Sequence, residues 1–272
     1  MDYNTYVGGI HLSDHEVSLV WLGQAGFLLK THKNKKVLID PYLSDYVNRT
    51  LGKKMGAGYR RMSASVFPAD EITADLIFCS HEHGDHLDID SLPKMLKEQT
   101  VCYTTSASIE KAIHEGVDAA KMKPLETGQT IDCGEFALTA TECDHGSSSP
   151  TAIGFLLDFG FVQIYFSGDT CLNISKLAEI IKQKPQIALL PINGAYGNIN
   201  AEEASLYASL LSAKVCIPCH FWTFPAHNGK KGTPYDALHY FQVNAKECEL
   251  LLAEPGRAIV IGEDGKVSEL KY

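Results

Sequence analysis

The pattern of apolar and polar positions breaks the chain into short runs bounded by Gly, Pro, Asn or Asp. The runs "VSLVWLG" (17–23), "GFLLKT" (26–31), "KVLIDP" (36–41), "DLIFCS" (75–80), "FALTATE" (136–142), "AIGFLLDF" (152–159), "VQIYFSGD" (162–169), "IALLPI" (187–192), "VCIPCH" (215–220) and "AIVIGE" (258–263) read as strands. Helical periodicity falls between the later ones. Residues 173–183 start at an Asn cap and carry Leu177, Ile180 and Ile181 on one stripe. Residues 201–212 follow Asn200 and place Glu202 and Glu203 in the first turn, where carboxylates favour the positive end of the helix dipole. Residues 234–248 begin with Thr233 as cap and Pro234 at the first helical position. Strands come in runs at first and later alternate with helices. That order predicts an α/β fold of two packed sheets with helices outside, a four-layer αββα sandwich, built as one domain over residues 1–272.

Composition narrows the possible partners. The chain carries 24 basic and 33 acidic side chains, a formal charge of −9, which repels a phosphate backbone and disfavours nucleic-acid binding. No apolar run follows a basic start, and none reaches the ~20 residues of a membrane span. A cytoplasmic chain without membrane partners is expected, with the oligomeric state open, a homo-oligomer included. The eight cysteines are scattered through apolar contexts and read as reduced, buried thiols. Cys216 and Cys219 form a C-x-x-C, but in a strand residues three apart point to opposite faces, so a shared metal or disulfide is not expected.

The chemistry gathers where strands end. Several runs close on a polar residue before a turn: Asp40, Ser80 with His81, Asp144 with His145, Asp169, and His220. The densest stretch is "SHEHGDHLD" (80–88). In an extended chain His81, His83 and Asp85 share one face, and a turn at Gly84, taken at positive φ, would bring His86 round to it. Imidazoles bind divalent ions, carboxylates add charge, and without a cation such packed imidazoles would repel when protonated. The spacing therefore points to a metal site, with His145, Asp169 and His220 as downstream candidates. Asp40 is either a carboxylate that orients a ligand histidine or a plain strand-end turn before Pro41.

H-x-H-x-D-H followed by His, Asp and His resembles the metallo-β-lactamase superfamily. Within it, "WLGQAGFLLK" (21–30), "SHEHGDHLD" (80–88), "YFSGDT" (165–170), "GAYGNINAEEAS" (194–205) and "AKVCIPCHFWTF" (213–224) are similar to the L-ascorbate-6-phosphate lactonase family. The chain departs from that family in a compact segment at 42–74 and in how little follows 263. The resemblance implies two divalent ions per chain. His81, His83 and His145 would hold the first, Asp85, His86 and His220 the second, and Asp169 would bridge them. It also gives Asp85 a catalytic part, orienting the nucleophile or accepting its proton. Cys171 does not match the cysteine of the superfamily's antibiotic hydrolases, so that activity is not expected.

A metal pair of this kind activates a shared water as hydroxide near neutral pH and polarises a carbonyl or phosphoryl oxygen. Five imidazoles suit zinc and the carboxylates suit manganese, so both are expected candidates. The resemblance implies opening of a lactone or related ester of a small phosphorylated metabolite. A phosphodiesterase acting on a small or cyclic nucleotide is the alternative. A di-iron oxidoreductase would place a carboxylate in the H-x-H pair, where His83 stands. For a small anionic substrate, the basic segment at 49–61 reads as a flexible loop offering Arg60 and Arg61. Tyr196, Asn198 and His227 are further candidates, with Gln24 behind them.

Overall fold

Each run read as a strand forms one, shortened by up to four residues, mostly where its polar end leaves the ladder. The computed structural model describes residues 2–269; Met1 and residues 270–272, the ends of the 1–272 span, lie outside the described residues. The first sheet contains β1 (Val17–Gly23), β2 (Gly26–Thr31), β3 (Lys36–Ile39), β4 (Leu76–Cys79), β5 (Val101–Thr104) and β6 (Met122–Pro124) side by side. The second contains β7 (Thr130–Asp132), β8 (Ala137–Glu142), β9 (Ile153–Asp158), β10 (Gln163–Phe166), β11 (Ile187–Pro191), β12 (Val215–Cys219) and β13 (Glu249–Leu250). The chain then returns to the first sheet, where β14 (Ala258–Ile261) pairs with β1, and β15 (Val267–Glu269) closes that edge.

Alternation along the strands builds two cores. Leu19, Phe27, Ile39 and Phe78 face the second sheet, where Phe27 meets Phe166 at 6.2 Å and Phe78 meets Phe155 at 5.7 Å between ring centres. Their neighbours Val20, Leu28, Leu38 and Ile77 face the other way. They pack beneath α1 (Tyr3–Gly8) together with the later helices α3 (Leu92–Met95) and α4 (Ser106–His114), α2 being the short Lys53–Met55 turn. On the far side of the second sheet lie α5 (Ala178–Gln183), α6 (Ala201–Leu211) and α7 (Pro234–Asn244). Tyr207 of α6 bonds the hydroxyl of Tyr165 at 2.9 Å. The layers are α, β, β, α, as the element order predicts. No helix among the described residues is long and apolar enough to cross a membrane.

Three local expectations are corrected. The helix expected over 173–183 is only Ala178–Gln183, because Asn173 does not cap it. Its amide donates to Asp144 at 2.7 Å instead, and Lys176 binds the same carboxylate, which holds 173–177 in turns. The helix expected over 234–248 stops at Asn244, although Thr233 caps it in a full capping box with Asp236. The segment at 49–61 is not an open loop: it winds through short helical turns at Asn48–Gly52, Lys53–Met55 and Ala57–Tyr59. All eight cysteines are free thiols, seven of them buried.

Candidate metal centre

Strand direction explains why distant residues meet. β3 and β4 run parallel, as do β10, β11 and β12. β8 is antiparallel to β9 and β9 to β10, so β8 points the same way as β10. β1 stands in the same relation to β3 through β2. The residues after β1, β3, β4, β8, β10 and β12 therefore emerge along one rim: Gln24, Asp40, His81, His145, Asp169 and His220. The carboxyl ends of strands are where α/β sheets open crevices.

The segment after β4 is not extended. His86 N and Leu87 N both bond His83 O, at 3.0 and 2.7 Å, so a tight turn carries His86 to the side of His81. The ring centres of His81 and His86 lie 4.1 Å apart. Gly84 does not take positive φ, contrary to the expectation from its residue type. It is glycine for room: a Cβ there would lie 2.7 Å from the Tyr46 ring.

Among the described residues four overlapping groups of three donors result; Asp40 with His81 and His86, and Asp85 with His220 and His227, overlap the two main ones. His81, His83 and His145 form one, with His145 Nε2 3.2 Å from His83 Nδ1. His86, Asp169 and His220 form the other. Asp85 joins it, with Oδ2 3.3 Å from His220 Nε2 and 3.7 Å from His86 Nε2. Asp169 spans the two groups. Its Oδ1 lies 3.3 Å from His86 Nε2 and 3.1 Å from His220 Nε2, and its Oδ2 lies 3.8 Å from His145 Nε2. His81 Nε2 and Asp169 Oδ1 are buried without a hydrogen-bond partner. Orphaned buried lone pairs of this kind are costly, and a divalent cation satisfies them. The donor set fits two such ions. Asp40 stands behind: Oδ2 meets His86 Nδ1 at 2.6 Å, while Ser80 donates from N at 2.7 Å and from Oγ at 2.6 Å. That contact leaves His86 Nε2 free to face the cluster.

Burial and charge divide the titrating groups. Burial pushes His81 and His145 below the ordinary imidazole value. Burial acts the same way on His86 and His220, but the carboxylates outweigh it. Asp169, Asp85 and Asp40 hold His86 well above the ordinary value, and Asp169 with Asp85 raises His220 to about 9. In return His86 and His220 overcome the burial penalty on Asp85 and Asp169 and hold both well below the usual carboxylate range. The metal-free cluster thus stores protons on the second group, where a cation would replace them.

A cavity of about 440 Å³ opens onto this rim, bordered by His83, Asp85, His145 and Asp169 at its base. Tyr46, Tyr59, Tyr196 and Phe224 give it an aromatic wall, and Lys111 and Glu115 lie on its border. The hydroxyls of Tyr59 and Tyr196 are hydrogen-bonded to each other. Tyr196 and His227 border the cavity. Asn198 is buried without bordering it, and neither of its amide atoms has a partner. Arg60 and Arg61 line a separate cleft with Ser44, Asp45 and Ser63. Arg61 is already engaged, lying 4.8 Å over the Tyr42 ring and donating to Tyr42 O at 2.9 Å. Arg49 pairs with Asp90 at 2.6 Å. The cation that reaches the cavity is Lys111 of α4, which sequence reasoning missed. Nothing in "SASIEKAIH" separates it from a solvated helical lysine.

The family described as "Beta-lactamase superfamily domain" matches residues 18–220, a span that includes every donor named above. A protein of Carboxydothermus hydrogenoformans described as a UPF0173 metal-dependent hydrolase is 31% identical over 255 residues, covering 90% of this chain and 100% of that one. Among solved structures, the isothiocyanate hydrolase from Delia radicum gut bacteria superposes with a TM-score of 0.73 at 19% identity, covering 90% of this chain and 99% of that one. Igni18, a metallo hydrolase of Ignicoccus hospitalis, gives 0.67 at 21% identity, covering 90% and 98%. At these identities the two structures speak for the fold alone.

Proposed function

We propose, from the premise that the chain belongs to the metallo-β-lactamase superfamily and to its UPF0173 metal-dependent hydrolases, that it opens a lactone or related ester of a small metabolite at a binuclear metal centre. The observation that carries this reading is Asp169, whose two oxygens face different donor groups, as a bridging carboxylate requires. When bound, a metal pair supplies an activated water and Lewis acidity toward the scissile carbonyl. His81, His83 and His145 would hold one ion, and Asp85, His86 and His220 the other. The imidazole-only group suits zinc and the carboxylate-rich group suits manganese.

The chain's own residues do the rest. Asp85 borders the cavity and is ionised, so it can accept a proton from the attacking water. Its Oδ2 is fixed by the Gln24 amide at 2.8 Å. The aromatic wall holds the substrate body and excludes water. In the lactonase-like version of this reading the substrate carries a phosphorylated end, and Lys111 is the cation available to meet it. Lys111 spends one N–H on Glu82 O at 2.6 Å and keeps others for a ligand.

The test is a panel of sugar-phosphate lactones, neutral lactones and small phosphodiesters, run on zinc- and manganese-loaded protein. Ring opening of a lactone, abolished by chelation, is expected. Phosphodiester cleavage without lactone opening would replace this reading with that of a phosphodiesterase.

A further inference from the structure

Gln24 sits in the turn between β1 and β2, at a backbone φ of 51°. Its main chain is pinned on both sides. Its N–H donates to Thr223 Oγ1 at 3.1 Å, and its carbonyl accepts from Trp21 Nε1 at 2.9 Å and from His220 N at 2.8 Å. The side-chain amide is buried and points at the donor cluster. Its Nε2 lies 2.8 Å from Asp85 Oδ2, 3.1 Å from His227 Nδ1 and 3.2 Å from His220 Nε2, while its Oε1 has no partner.

The orientation of this amide follows from its neighbour. An ionised carboxylate only accepts, so the amide nitrogen must face Asp85, since the reverse orientation would set two oxygens against each other. The same nitrogen then faces His227 Nδ1, which must accept. An imidazole that accepts at Nδ1 carries its proton on Nε2. The amide has two hydrogens. With His220 Nε2 committed to a cation, these two match Asp85 and His227. His227 Nε2 has no hydrogen-bond partner among the described residues. Its ring borders the cavity between Tyr196, at 5.1 Å, and Phe224, at 5.3 Å.

We infer that Gln24 is a positioning residue that locks His227 in the tautomer protonated at Nε2, and that His227 donates this Nε2–H to the substrate oxygen on which negative charge develops. The role assigned to His227 rests on the hydrolase reading above; the tautomer does not. The hydrogen bond strengthens as charge grows on that oxygen, so it acts on turnover more than on binding.

Two measurements test this. In zinc-loaded protein with ¹⁵N-labelled histidine, long-range proton–nitrogen correlation reports each ring's tautomer, and the signals missing from His227→Gln identify His227. Wild type is expected to show an unprotonated Nδ1, and Gln24→Glu, whose carboxylate accepts from the ring, a protonated one. A protonated Nδ1 in wild type overturns the lock. In kinetics, loss of one such donor costs about 10²–10³-fold in kcat. His227→Phe should show that loss with KM and metal content little changed. His227→Gln, whose amide nitrogen reaches the Nε2 position, should recover about tenfold or more of it, and His227→Asn, which mimics Nδ1, should not. Wild-type kcat in His227→Phe, or equal rescue by Gln and Asn, overturns the donor role. Absence of turnover in wild type defeats the hydrolase reading, and the donor role with it, while the spectra still decide the tautomer.

Discussion

Asp40→Asn removes a group that touches no substrate and should nonetheless weaken one metal site. Three donors converge on the Asp40 carboxylate: Ser80 N, Ser80 Oγ and His86 Nδ1, all within 2.7 Å. An asparagine offers one acceptor oxygen and turns an NH₂ toward the remaining donors, so at least one of them loses its partner in a fully buried place. An orphaned buried donor costs about 1–3 kcal/mol. If His86 Nδ1 loses it, the ring no longer holds Nε2 toward Asp169 and His220. Partners of this kind are worth about 10–100-fold in metal affinity, or about 1.4–2.7 kcal/mol, the same scale reached from the hydrogen bonds. Metal affinities read by competition with a chromogenic chelator should show the weaker-binding step fall by that factor. The group of His81, His83 and His145 meets this carboxylate only through Ser80 Oγ, 2.9 Å from His81 Nδ1, and should change less. Two unchanged binding constants would refute the reasoning and leave Asp40 as a strand-end turn.

Gly84→Ala should lower stability by about 1–3 kcal/mol through overpacking against the buried Tyr46 ring, and an unchanged urea midpoint would show that the ring moves aside freely. Metal affinity should rise with pH. His220 is raised to about 9 in the metal-free protein, so its ion-pair stabilisation is complete below the ordinary imidazole value and is lost as pH climbs through about 9. A cation competes with that proton, so chelator competition should show affinity increasing up to about pH 9 and flattening beyond; a flat profile below it would contradict the shift. Lys111→Met should raise KM for a phosphorylated lactone about 10- to 100-fold, while Arg60→Ala and Arg61→Ala leave it unchanged. The reverse order would return the anion site to the arginines.

The donors were legible because they interrupt apolar runs. Asp40, His81, Asp169 and His220 each end a buried strand, where a polar side chain has few reasons to stand, and all the strands that carry them run to one rim. The layers were legible for the same reason: Phe27 and Leu28, or Phe78 and Ile77, alternate between two cores. Where sequence reasoning erred, a side chain had a competing long-range partner. Asn173 has the residue type of a cap but bonds Asp144, 29 positions away. Gly84 looks like a hinge and is in fact a clearance for Tyr46. β5, β6, β7, β13 and β15 escaped notice because runs of two to four residues carry almost no periodicity. The cavity wall was illegible for a related reason. Tyr46, Lys111, Tyr196 and Phe224 come from four separate connections or helices, and only the packed sheets bring them together.

The central claim is that two ions share the Asp169 carboxylate. Metal content per chain, measured by elemental analysis and native mass spectrometry on wild type and Asp169→Ala, tests it most directly, with circular dichroism to confirm that the variant is folded. Two divalent ions per wild-type chain are predicted, with a folded Asp169→Ala that retains at most one and has lost hydrolysis. Two ions per chain and normal turnover in Asp169→Ala would contradict the bridge and, with it, the binuclear centre.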